Sequence, residues 1–389
     1  MAIPSIGVQD KYQYSVLING NPITLNINND VYAVIVNENI RQKVPVLKLS
    51  VLDYQGIYSS TSPINDGTRI EVAINDGSSG LANYSKFRSF GTPKRRNSIS
   101  GYSELEVIGL LDTQDYLYQT ANTSFKGSST GVVNNIASVL NMKYATNDNS
   151  NDSMTWLPYK KLWSDFVKYI SKHSWTDDKS VFSVGVTADG TLNFYNVQKL
   201  FENRKPVLEF VRGVGLNPQS SVRQVMIINY QAVNRSGQFN FQGAYGMRTS
   251  QTDGSGNVSI YQQVNASKNA NSSLDINKNV AARLQNRSKM HIAPVDCGNA
   301  HPNYIRARHQ NKRLTLTYSQ NLYVICYEYT SAKLYDMVTV YIAHEGKKDD
   351  TVSGIYMVSA VSRFIYGNNY YEKIELTTIG PSNPNAELY

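Results

Sequence analysis

KLYDMVTVYI (Lys333–Ile342), SGIYMVSAVSRFI (Ser353–Ile365) and YYEKIELTTIG (Tyr370–Gly380) decide the fold class. In the first segment Val338, Val340 and Ile342 fall on one face. In the last, Ile374 and Leu376 oppose Lys373, Glu375 and Thr377. A period of two marks a half-buried strand, so the segments predict an antiparallel meander with these apolar residues in its core. Gly367, Asn368 and Asn369 tolerate positive φ and provide for a hairpin turn between the second and third strands.

Toward the N-terminus the same layout returns as SPINDGTRIEVAI (Ser62–Ile74), YSKFRSF (Tyr84–Phe90) and YSELEVIGLL (Tyr102–Leu111). SELEVIG and YEKIELTTIG share an acidic, apolar, acidic, apolar rhythm before a glycine. Any two antiparallel meanders alternate in this way, so the pattern alone leaves open whether they are a true repeat. Around the first meander, YQYSVLIN, a turn at GNP, ITLNI, VYAVIV and KVPVLKLSVLD complete an all-strand region, residues 1–115, expected to form a first β-barrel.

After Asp115 the period changes. Val133, Ile136, Ala137 and Leu140 recur at helical spacing behind a cap at Ser129 or Thr130. A second helix is expected from Tyr159 to His173, with Leu162, Phe166, Val167 and Ile170 inward. A hairpin follows, Val181–Thr187 with Thr191–Asn196, around the turn-forming pair Asp189-Gly190. Residues 116–205 therefore form a small αα-ββ middle domain. PVLEFV (Pro206–Val211), VRQVMIINYQAV (Val222–Val233), RLTLTY and NLYVICYEYT resume the strand pattern. The expected fold class is mainly β with a small α+β insertion. It has two related antiparallel barrels, the second split into 206–233 plus 313–380 by a polar insertion, 234–312. Within it Asn234 to Asn286 is rich in Asn, Gln, Ser and Gly, with little periodicity. Residues 381–389 are a short tail.

Composition narrows the function. The chain has 28 Tyr against 11 Phe, and Tyr, half apolar and half polar, suits sheets with one wet face or broad protein interfaces. A net charge of +8 permits contact with polyanions without requiring it. Two cysteines, Cys297 and Cys326, are too few for a disulfide framework, and Cys326 lies in a strand-like stretch as a buried free thiol. No apolar run approaches the roughly 20 residues of a membrane span, and MAIPSIGVQDKYQ lacks the marks of a signal peptide. Folding in the cytoplasm is expected.

Catalytic patterns are missing. His173, His291, His301, His309 and His344 show no metal-ligand spacing, and neither a phosphate loop nor a GxSxG occurs. Glu104 and Glu106, two apart on a strand, share one face; a glycosidase pair is weighed against a solvated strand face, and the solvated face is the expected reading. Asp177 with Asp178, and Asp349 with Asp350, are loop charges. No enzyme, cofactor or metal is expected. The remaining candidates are basic: Lys94, Arg95 and Arg96 in a loop of the first meander, Lys347 and Lys348 in a loop of the second, and Arg306, Arg308, Lys312 and Arg313. They are solvated loop charges or contacts to nucleic acid or an acidic partner.

One order of motifs runs from about Val44 to Gly380: VPVLKLSVLD with Gly56, SPINDGTRIEVAI, FRSFG and LEVIGLL; then TGVVNNIASVLNMKY, WSDFVKYISKH and VFSVGVTADGTLNFYN; then the C-terminal meander. In that order the chain resembles the central baseplate hub proteins of tailed phages and the related hub part of type VI secretion VgrG spike proteins. The resemblance implies a structural virion protein of the tail baseplate, assembled in the host cytoplasm. It implies a homotrimeric ring around a central channel, acting as symmetry adapter between a sixfold tail tube and a threefold central spike or tip. Implied partners are the tail tube protein, other baseplate proteins and a separate spike or tip protein, since the chain ends with PSNPNAELY after Gly380. Contact with DNA in the channel would be transient and non-specific at most, and no membrane-spanning segment is involved. One departure is specific: where the family often has Gly-Asp before its last barrel strands, this chain has Tyr335-Asp336. A receptor- or polysaccharide-binding tail protein, using the Tyr and Asn content as binding surface, is the alternative. A cell-wall hydrolase has no assembled site here.

Overall fold

The computed structural model describes residues 13–22, 31–53, 56, 58, 60, 63–75, 85–91, 93–97, 103–177, 179–203, 205–214, 220–234, 247–252, 258–263, 289–294, 300–304, 307–308, 320–366 and 369–378. The chain begins with β1 (Gln13–Ile18), β2 (Asn21–Pro22), β3 (Val31–Asn39), β4 (Val46–Asp53), β5 (Arg69–Asn75), β6 (Ser85–Ser89), β7 (Lys94–Asn97) and β8 (Ser103–Leu111). A middle segment holds α1 (Gln114–Tyr118), β9 (Phe125–Gly127), α2 (Ser129–Val139), β10 (Lys143–Thr146), β11 (Met154–Trp156), α3 (Trp163–His173), β12 (Phe182–Val186), β13 (Thr191–Asn196) and α4 (Val197–Asn203). Then come β14 (Leu208–Arg212), β15 (Arg223–Met226), β16 (Asn229–Asn234), β17 (Met247–Thr252), β18 (Val258–Gln263), β19 (Lys289–Pro294) and β20 (Gln320–Cys326). The chain closes on β21 (Met337–His344), β22 (Lys347–Lys348), β23 (Gly354–Tyr366) and β24 (Asn369–Thr378).

Two series of strands carry the fold. The N-terminal series lies in the spatial order β3-β4-β8-β6-β5-β1, and the C-terminal series in the order β16-β20-β24-β23-β21-β14. Renumbered by position along the chain, both read 2-3-6-5-4-1. Neighbours are antiparallel throughout the first series. The second matches them except at its last member, because β14 runs parallel to β21 and to β15. The sequence pattern predicted a purely antiparallel second series, and the parallel pairing of β14 corrects it. In both, a further strand, β2 or β15, lies on the outer edge of strand 1.

The two series, expected to form two related barrels, belong to one continuous 16-stranded sheet. β23 is long enough to serve both series. Its first residues pair with β21, while Ala360 to Tyr366 pair with Asn39 to Ala33 of β3, and β24 flanks it on the other side. At the far edge the chain steps across the series: Ile227 N donates to Val211 O of β14, and Ile228 N to Ile325 O of β20, each at 2.8 Å.

Alternation is clearest in β8 and β4. Leu105, Val107 and Leu111 pack with Leu47, Leu49 and Val51 in one apolar cluster. Val338, Val340, Ile342, Ile374 and Leu376 are buried together in the cluster of the second series. The expected wet face of the last strand is mostly dry, because Lys373 is exposed but Glu375 and Thr377 are buried. The chain after β3 covers that face, with Arg41 ion-paired to Glu375 at 2.7 Å and Ile40 N bonded to Ser359 O.

The middle segment is richer than the αα-ββ reading. It has four helices and two small sheets, β10-β13-β12 and β11-β9, and β10 runs parallel to β13. Its core is continuous with that of the first series. Ser128, one residue before the predicted caps, caps α2 by accepting from Gly131 N, while Asp152 accepts from Ser129 N and Trp175 N. α3 starts at Trp163 rather than Tyr159, because Tyr159 and Lys160 take left-handed φ values of 49° and 57° in a preceding turn. The hairpin turn also differs: only Gly190 has positive φ, and Asp189 instead accepts from the Thr187 and Thr191 hydroxyl and amide in a longer loop. At the first hairpin, by contrast, Asn19 and Gly20 both take positive φ, one residue before the expected GNP turn. Inside the polar insertion, β17 pairs with β18 and β19, so part of that stretch is sheet.

Candidate functional site

Three parts of the molecule meet at Arg363. Alternation along β23 turns it away from the apolar cluster, toward Glu372 opposite on β24 and toward β3. Its Nη1 donates to Glu38 Oε1 at 2.8 Å, its Nε to Glu372 Oε1 at 3.3 Å, and its Nη2 to Ala332 O at 2.7 Å. Glu372 also accepts from the hydroxyls of Tyr370 and Thr330, and Glu38 Oε2 from Ala188 N at 3.2 Å. One guanidinium thus ties the first series through Glu38, the second through Glu372, and the middle hairpin through Ala188. Burial alone would lower the pKa of Arg363, but Glu372 and Glu38 outweigh it and hold the group above its ordinary range. Burial, then Glu372, pushes the Tyr370 phenol well up, so it stays a donor.

Beside this junction sits Tyr335, the position flagged as a departure. It keeps the left-handed conformation that glycine would adopt, φ 72°, though its side chain is buried. Its ring lies 5.0 Å from that of Tyr195, its hydroxyl bonds Ser183 Oγ at 2.9 Å, and its amide bonds Val358 O at 2.9 Å. Leu334, Met337, Met357, Val197 and Phe201 complete an apolar cluster joining α4 to the second series. The strain of a left-handed Tyr is offset by this packing.

The basic candidates are scattered. Lys94, Arg95 and Arg96 form strand β7 rather than a loop, at register positions opposite Glu106, Leu105 and Glu104 of β8. Lys347 and Lys348 form β22, hairpin-paired to Ala343 and His344 through a turn at Glu345 and Gly346, and both are exposed. Arg308 is exposed; Arg306, Lys312 and Arg313 lie outside the described residues. Glu104 and Glu106 are half-buried on one face of β8. Asp349 is a turn former, its carboxylate held below its ordinary pKa by the Thr351 hydroxyl. Cys326 is buried and free, its thiol pushed up by burial and by Glu372.

Sequence reasoning missed the Arg363 junction and the apolar surface at Met226, Ile228 and Tyr327, which are 43%, 42% and 51% exposed beside the step from β15 to β16. An arginine inside a 13-residue strand was the available signal for the first. Among the described residues no group of three or more His, Cys, Asp or Glu is placed to hold a metal ion, and no helix is long and apolar enough to cross a membrane.

No protein-family model and no curated protein matches the chain. Solved structures do. A tail protein from Neisseria meningitidis MC58 superposes with a TM-score of 0.57 at 11% identity, covering 96% of this chain and 99% of that one. The 43 kDa tail protein of prophage MuSo2 from Shewanella oneidensis gives 0.56 at 9% identity, covering 94% and 98%. An E. coli type VI secretion component described as similar to T4 bacteriophage tail proteins gives 0.49 at 9% identity, covering 96% and 78%. Two strand series of one order, joined through β23 and spanned nearly end to end by the first two matches, give this chain the fold of those two tail proteins.

Proposed function

We propose that the chain is a structural, non-enzymatic hub of a phage or phage-like tail baseplate. In this reading three copies form a ring that adapts a sixfold tail tube to a threefold central spike or tip. The repeated strand order 2-3-6-5-4-1 carries the proposal. Two similar surfaces per chain, in three chains, give six similar surfaces on one side of a ring, while the chain as a whole repeats three times. The step from β15 to β16, bonded on one side to β14 and on the other to β20, supports a nearly closed second barrel over 206–233 plus 313–380. Residues 1–115 would form the first barrel, 116–205 a middle domain, and 234–312 an insertion splitting the second barrel. The apolar surface at Met226, Ile228 and Tyr327 supports an interface within such an assembly.

The test is mass in solution by light scattering, together with negative-stain imaging. A trimer seen as a ring, sixfold in outline on one face and threefold on the other, is expected. A monomer that binds host polysaccharide would instead favour a receptor-binding tail protein.

A further inference from the structure

Part of the polar insertion is anchored on the middle segment and the first series. Ala300 and Tyr304 pack against the cluster shared by the middle segment and the first series, and His301 is buried there. His301 Nε2 contacts His173 O at 3.1 Å, at the C-terminal end of α3. The Tyr304 ring stacks on the His173 ring at 4.2 Å and 9°, and its hydroxyl bonds that of Tyr169. Tyr304 N and Ala307 N bond His301 O and Asn303 O, so the anchor is a compact turn.

The bonding fixes which nitrogen of each imidazole carries a proton. His173 Nδ1 faces Tyr169 O at 2.8 Å, and His301 Nε2 faces His173 O; a carbonyl only accepts, so these nitrogens carry the protons. His301 Nδ1 is buried and has no hydrogen-bond partner among the described residues. A second proton there would be an unpaired buried donor. Cations surround the pair: Lys161, whose Nζ lies 3.8 Å from the Tyr169 ring centre, and Arg308 both act on His173, with Lys172 beyond Lys161. Among the described residues the anion acting on His301 is Asp152, already bonded to two backbone amides.

We propose that His173 and His301 form an acid-sensitive latch that holds the Ala300–Tyr304 turn of the insertion on α3 at neutral pH and releases it on acidification. Docking holds both imidazoles below the ordinary value of 6.5, His173 at about 3, chiefly through burial. The carbonyl contacts, and Asp152 for His301, offset this only in part. Released, each takes up protons normally. The latch is therefore fully present above about pH 7, and each unit below about 6.5 favours release about tenfold per histidine, until the docked imidazoles themselves titrate.

Hydrogen exchange of the full chain, corrected for intrinsic rates, tests this at pH 7.5 and pH 4.5. The Tyr304 and Ala307 amides are expected to lose at least about tenfold more protection than those of β13. A His173→Gln/His301→Gln double variant, which keeps donors but cannot titrate, is expected to remove the difference. Equal protection of the two regions in wild type at both pH values overturns the latch, as does the same loss in the double variant. Should that variant not fold, imidazole proton resonances of the wild type decide. Two of the five histidines titrating clearly below the others supports the proposal, and all five titrating near 6.5 refutes it.

Discussion

Arg363 illustrates how an energetically costly group becomes structural. Moving a guanidinium and two carboxylates out of water is repaid only if every partner stays in place. Arg363→Ala leaves Glu38 and Glu372 buried without their cation, and is expected to lower unfolding free energy by about 3–5 kcal/mol in urea titrations. Replacing all three with Met and Gln of similar volume is expected to restore much of that loss, which a simple packing defect would not show. At Tyr335 a smaller effect is expected: Tyr335→Phe keeps the ring and removes the bond to Ser183, for about 1 kcal/mol. Neither role could be read from the sequence. Glu38 and Arg363 are 325 positions apart, and no local pattern links them. The substitution at Tyr335 was visible, but its left-handed backbone is stabilised by rings contributed from β13 and α4, which only the folded chain brings together.

Strands that bury one face were legible, and strands that bury both were not. The apolar alternation of Val338, Val340, Ile342, Ile374 and Leu376 matches their common burial. Glu375 looks like part of a wet face by type alone, because the cover over it comes from Arg41, in the turn after β3 and distant in sequence. Leu376→Asp places an unpaired charge among Leu322, Val324 and Val358, and is expected to cost several kcal/mol, on the order of 3–5, and to prevent assembly. Lys373→Glu, on the exposed position of the same strand, is expected to leave the melting temperature nearly unchanged. Strand direction was also hidden, because a short strand such as LEFVR reads the same in parallel and antiparallel pairing. Gly213, just after it, has φ 77°, and a Cβ there would stand 1.9 Å from Ala343 O. Gly213→Ala is therefore expected to disrupt the parallel junction of β14 with β21, seen as loss of soluble protein or a markedly lower melting temperature.

At the scale of the whole molecule, the weak sequence rhythm shared by SELEVIG and YEKIELTTIG belongs to strands in equivalent positions, β8 and β24, each sixth in its series. The repeat was faint because side chains on the two strands answer to different covers, while strand order does not depend on them. The single sheet could not be inferred, since it depends on β23 being long enough to reach β3. Because β23 pairs with both series and Arg363 ties in the middle segment, the chain is expected to unfold in one calorimetric transition, with van't Hoff and calorimetric enthalpies equal. Two separable transitions would show that the series are independent domains after all.

That shared strand also sets how the molecule bears load. Between Ala360 and Tyr366 seven cross-strand positions face β3 in antiparallel register, and the other edge of β23 is held by β24. A pull along the strand axis loads this ladder in shear, so its hydrogen bonds must yield together rather than peel one at a time. A pull across the axis would open them in succession. The joint is therefore anisotropic: stiff when the two halves are drawn past each other, weaker when they are prised apart.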